Sequence, residues 1–159
     1  MKVATSVWLA IARLQHEYGL DADFAVGDAI EAALLEAGPD ANRQSIAAHI
    51  SSHCVATCRP SPDRYRMLTR TTRGRVRLFR EGDPYHPDRR DGATVPRPED
   101  VPAASRHLLG WYTGAMADCQ MSDFDSIVRE LRELGEESGL WKGVDPDDYV
   151  ASLRAGWDS

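Results

Sequence analysis

Apolar residues recur at helical spacing three times before residue 56, and then the period changes. Val7, Ile11, Leu14 and Tyr18 fall at i, i+4, i+7 and i+11. They form one stripe of a helix that Thr5 or Ser6 can cap and Gly19 can end. After a polar break, "LDADF", a second stripe of Val26, Ala29, Ile30, Ala33, Leu34 and Ala37 predicts a helix over 25–37, stopped by Gly38-Pro39. A third helix is predicted over 41–55, "ANRQSIAAHISSHCV". On its wheel Ile46, Ala47, Ile50 and Cys54 form the buried side. Gln44, Ser45, Ala48, Ser51 and Ser52 lie opposite, with His49 at the flank and Arg43 at the N-terminal end.

From residue 64 the alternation is by two, the period of a strand. Tyr65, Met67 and Thr69 face one way and Arg64, Arg66, Leu68 and Arg70 the other. Beyond "TTRG", Val76 and Leu78 are predicted to point inward and Arg75, Arg77 and Phe79 outward. Gly74 supplies the backbone freedom of a hairpin tip. Residues 82–103 hold five prolines and two glycines, which predicts a linker or an extended wrapping segment. Three further helices are predicted over 103–118, 123–137 (capped by Ser122) and 146–156, the last started by Asp145-Pro146. The expected fold is mainly α with a small β-hairpin. It divides into a domain over 1–81, the Pro-rich segment 82–103 and an acidic helical module over 104–159.

Charge sharpens this picture more than composition does. The 159 residues carry a net charge of −6 and are 42% hydrophobic, enough for a packed core. The distribution is very uneven. Residues 1–40 carry −5, residues 41–80 carry nine arginines against Asp63 alone, and residues 81–159 carry −9. Such a block marks a polyanion-binding surface; alternatively it is a basic face that pairs with the chain's own acidic C-terminal half. No run approaches the ~20 apolar residues of a membrane span. Arg13, His16 and Glu17 interrupt the apolar N-terminus with helical rather than secretion-signal spacing. Three cysteines are too few for a disulfide framework, so a cytoplasmic location is expected.

Three short helices followed by the arginine-rich tip "TRTTRGR" resemble the winged helix-turn-helix superfamily over residues 1–80. The resemblance implies that the third helix enters the major groove of double-stranded DNA while the hairpin, the wing, lies along the backbone or in the minor groove. The DNA-binding residues it points to are Arg43, Gln44, Ser45, Ala48, His49 and Ser52 on the helix, and Arg66, Arg70, Arg73, Gly74, Arg75 and Arg77 on the wing. Small residues let a helix approach base edges. Gln suits adenine, Arg suits guanine, and Ser suits either. Arg70, Arg73, Arg75 and Arg77 could each neutralise a phosphate, whereas Arg64 and Arg66 could instead pack across the sheet. The function expected is that of a bacterial-type transcriptional regulator which, if dimeric, reads half-sites about one helical turn apart.

Other chemistry finds less support. His49, His53, Cys54 and Cys58 could ligate zinc, but His49 and Cys54 point to different sides of a continuous helix, and Cys54 reads as a core thiol. "GDPYHPDRRD" gathers Asp83, His86 and Asp88, a conceivable Mg²⁺ site. With only Lys2 and Lys142 as lysines, however, no carboxylate-plus-lysine nuclease core can be assembled. No glycine-rich phosphate loop or Ser-His-Asp set is present, so neither an enzyme nor a cofactor is expected. The segment 137–159 resembles the toxin-binding tails of bacterial antitoxins, with Leu140, Trp141, Tyr149, Val150, Leu153 and Trp157 as candidate partner-binding residues. These aromatics could equally pack on the preceding helices or form a homodimer interface. Two rival functions stay open. One is a protein-interaction module whose basic hairpin meets an acidic partner; the other is a nucleic-acid-processing component using residues 83–90.

Overall fold

The computed structural model describes residues 1–60 and 63–138. About half of the chain is helical, and a small three-stranded antiparallel sheet completes the fold. The chain forms two compact units, Met1–Met116 and Ala117–Ser159. The first unit therefore extends well past the boundary at 81 that composition suggests. No helix among the described residues is long and apolar enough to cross a membrane.

Helix α1 (Val3–Tyr18) is the centre of the first unit. Every residue from Ala4 to Ala12 is buried, including Thr5 and Ser6, so neither caps the helix; it starts one turn earlier, after Lys2. A helix buried all round needs neighbours on every side. Helix α2 (Val26–Ala37) contributes Ala29 and Ala33, and helix α3 (Arg43–Ala48) contributes Ile46. Strands β2 (Leu68–Arg70) and β3 (Arg75–Leu78) add Leu68, Val76 and Leu78, and helix α4 (His107–Ser138) adds Leu108 and Tyr112. Trp8 is fully buried and meets the Tyr112 ring edge-on at 5.7 Å. Tyr18, at the end of the predicted stripe, is instead 65% exposed. Gly19 and Gly38 end their helices with positive φ, as their positions suggest.

Two further differences from the sequence pattern have local causes. The "LDADF" break holds a third strand, β1 (Phe24–Ala25), which pairs with β3 so that the sheet order is β1-β3-β2. Two residues are too few to show a period of two. The helices predicted over 103–118 and 123–137 are one continuous helix, α4, which runs through Ser122. Ser is a strong cap only where a chain already turns. The helix predicted over 146–156 lies outside the described residues.

Backbone hydrogen bonds tie the Pro-rich segment, itself part of the first unit, to the chain before it. His86 N–H donates to Ala56 O at 2.8 Å, and Arg66 N–H donates to Ala93 O at 2.8 Å. A Cβ on Gly92 would stand 1.6 Å from Arg64 O, so only glycine allows the two backbones to lie this close. Arg89 is fully buried and points into the core. Its Nε donates to Cys58 O (2.6 Å), Nη1 to His53 O (2.8 Å) and Tyr65 O, and Nη2 to Ser52 O (3.2 Å) and Arg59 O (3.3 Å). Five donors thus meet five carbonyls, which stitches the chain after α3 to the wrapping segment.

Candidate nucleic-acid interface

Helix α3 is built for a short exposed run. Asn42 Oδ1 accepts from Ser45 N–H at 3.0 Å and caps the start. After Ala48 the helix widens into a π-helical turn, His49–His53, in which Cys54 N–H donates to His49 O at 2.9 Å. Ile46, Ile50 and Cys54 remain buried, but the wider turn shifts the phase of the residues beyond it. Arg43, Gln44 and Ser51 are exposed; Ser45, Ala48, His49 and Ser52 are half-buried. His49 Nδ1 lies 2.8 Å from Ser45 O, its ring rests on His53 at 4.9 Å, and the Ser52 carbonyl faces Arg89. Of the helix residues predicted to face a ligand, Arg43 and Gln44 are therefore the most open. Arg43 pairs with Glu31 of α2 at 2.6 Å, both side chains more than half exposed. A pair of that kind contributes less than about 1 kcal/mol and exchanges readily for another anion.

The hairpin carries far less free charge than its seven arginines suggest. Arg70 Nη2 donates to Ser51 O, which sets strand β2 against the end of the third helix. Arg73 and Gly74 are exposed at the tip, and Gly74 has φ +78°, a conformation that requires glycine. Three of the others are paired with carboxylates. Arg75 Nε pairs with Asp23 Oδ1 at 2.6 Å and its Nη2 donates to the Asp23 carbonyl at 2.6 Å. Arg77 grips Asp83 through both Nη groups at 2.8 and 2.7 Å, and Arg80 pairs with Asp21 at 2.8 Å. Arg66 is engaged with aromatic rings instead. Its guanidinium lies over the rings of Tyr85 (4.6 Å) and Phe79 (5.3 Å), and Nε donates to Gly92 O. Phe79, predicted to point outward, is 4% exposed for the same reason: the wrapping segment covers that face. Among the described residues, Arg64, Arg70 and Arg73 alone of the seven are neither paired with a carboxylate nor laid over an aromatic ring.

Among the described residues, the carboxylates paired with these arginines are Asp21, Asp23 and Asp83. Asp83 stood out in the sequence only as a conceivable metal ligand, and Asp21 and Asp23 not at all, because nothing local connects Asp23 with an arginine 52 residues away. Hydrogen bonds from Thr71 and Arg75 hold the Asp23 carboxyl below the usual range. Burial pushes Asp83 up, but donors from Arg77, Thr69 and the Arg80 amide outweigh it, and its net shift is downward. Those donors also occupy both Asp83 oxygens, so Asp83 is committed to the hairpin rather than presented with His86 and Asp88 toward a metal. Arg89, its neighbour in that motif, points into the core. Burial pushes the Cys54 thiol up to about 12, which makes it a neutral core group.

No known protein family, curated protein or solved structure matches this chain. Leu140, Trp141, Tyr149, Val150, Leu153 and Trp157 lie outside the described residues.

Proposed function

We propose that the first unit is a winged helix-turn-helix domain that binds double-stranded DNA sequence-specifically, as a non-enzymatic transcriptional regulator. The observation that carries this reading is the juxtaposition of Arg70 and Ser51. The basic hairpin adjoins the end of a third helix in a stretch, 41–62, that contains no acidic residue. The sheet order β1-β3-β2, with β1 between the first two helices, supports the resemblance beyond the bare helix count. In this reading Gln44, with Arg43 and Ser45, reaches base edges, and Arg70 and Arg73 reach phosphates.

The test is enrichment of duplexes from a random pool, followed by anisotropy against scrambled duplexes. A preference of ~10³ or more for the enriched sequence is expected. Gln44→Ala should relax that preference, while Arg73→Ala should weaken every duplex alike and lower the salt slope by about 1. Equal, weak and salt-steep binding to all duplexes would reduce the site to a generic polyanion surface. No binding at low salt would overturn the reading and turn attention to an acidic protein partner for the tip.

A further inference from the structure

We infer that Asp23 is an internal competitor for the polyanion, holding Arg75 away from phosphate so that strands β2 and β3 and their tip engage DNA only through Arg70 and Arg73. The inference rests on the DNA-binding reading and specifies how its affinity is limited. One carboxylate bridges both flanks of the tip Thr72-Arg73-Gly74: Thr71 Oγ1 donates to Asp23 Oδ2, and Arg75 Nε donates to Asp23 Oδ1 at 2.6 Å. The Asp23 carbonyl takes a second arm of Arg75, so the guanidinium is bound along one edge rather than touched at a point. The strand pairing Ala25↔Arg75 places Asp23 there, so the contact belongs to the sheet and not to a stray surface rotamer.

The three arginine–aspartate pairs differ in what they could release. Arg77 and Asp83 are both largely buried, at 15% and 13% side-chain exposure, and Thr69 shares the carboxylate. Arg80 is only 17% exposed and is bound to the Leu20 carbonyl as well as to Asp21, so its burial keeps it in place even without its aspartate. Arg75, at 45% exposure and next to the tip, is the one that could swing onto a phosphate if its partner were removed. The consequence is selectivity. Each arginine withheld lowers sequence-independent affinity and its salt dependence, while leaving base-edge contacts from α3 untouched.

The experiment is a salt titration of the full chain on a random-sequence 20-base-pair duplex by anisotropy. The wild-type slope of log K against log[salt] should correspond to two or three phosphates, about −2 to −3. Asp23→Asn should steepen it by about 0.9 and raise affinity roughly tenfold at 0.1 M salt. Adding Arg75→Gln to Asp23→Asn should abolish that gain, and Asp21→Asn should leave the slope unchanged. Thermal melts by circular dichroism establish that each variant is folded. A wild-type slope near −6, or an Asp23→Asn slope equal to wild type, overturns the inference while the DNA reading survives. If neither wild type nor Asp23→Asn binds at low salt, both fall together.

Discussion

Arg89 shows how far a residue's role can lie from its motif. In the sequence it belongs to the charged cluster 83–90 considered for a metal or for nucleic-acid processing. In the fold it is a buried cation whose five donors each find a carbonyl. Lysine offers a point charge and cannot serve five acceptors spread around a planar fork. Arg89→Lys should therefore cost about 3 kcal/mol, read as a lowered midpoint in urea unfolding, because carbonyls are left buried and unpaired. A midpoint unchanged from wild type would mean the carbonyls find water instead. Asp83 makes a pH prediction of definite sign. Its carboxyl is lowered in the folded state, so its stabilisation is present above the ordinary aspartate value of ~3.9 and is lost as pH falls through the lowered one. Melting temperature should accordingly drop on acidification below about pH 4. Asp83→Asn should melt lower than wild type at pH 7 but lose less between pH 5 and pH 2.

At the scale of elements, α3 is the one whose existence depends most on local detail. It has only six α-helical residues before the π-helical turn, too few to be stable on propensity alone. Its Asn42 cap and the burial of Ile46 and Ile50 hold it in place. Asn42→Ala should destabilise the first unit by about 1 kcal/mol. On the DNA-binding proposal, it should also weaken binding to an enriched duplex more than to a random one, since it frays Arg43 and Gln44 rather than the hairpin. Equal weakening on both would place the reader elsewhere. The three N-terminal helices were legible because their apolar stripes are local properties of the chain. Strand β1 was not, since Phe24–Ala25 becomes a strand only by pairing with Val76 and Arg75. The break predicted near Ser122 failed for the opposite reason: capping chemistry was present without a turn to use it.

For the whole molecule, the decisive fact is that the first unit runs to Met116. Val101, Leu108 and Tyr112 complete the core around α1, Tyr112 donates to the Phe79 carbonyl, and the segment carrying Arg89 and Gly92 closes the loop after α3. A fragment ending at residue 81 would leave that core open. It should lack a cooperative thermal transition, whereas one ending at residue 116 should retain it; a cooperative melt of the shorter fragment would show that the wrapping segment is dispensable. Period and punctuation in the chain were enough to specify three helices and an arginine-bearing hairpin, because these depend on neighbours a few residues apart. Which arginines remain free, where Arg89 points and where the unit ends depend on residues such as Asp23 and Arg75, 52 positions apart. Only the pairing of β1 with β3 and the return of the chain over the hairpin bring such groups together, and charge, unlike hydrophobic period, has no meaning for binding until its nearest counter-charge is known.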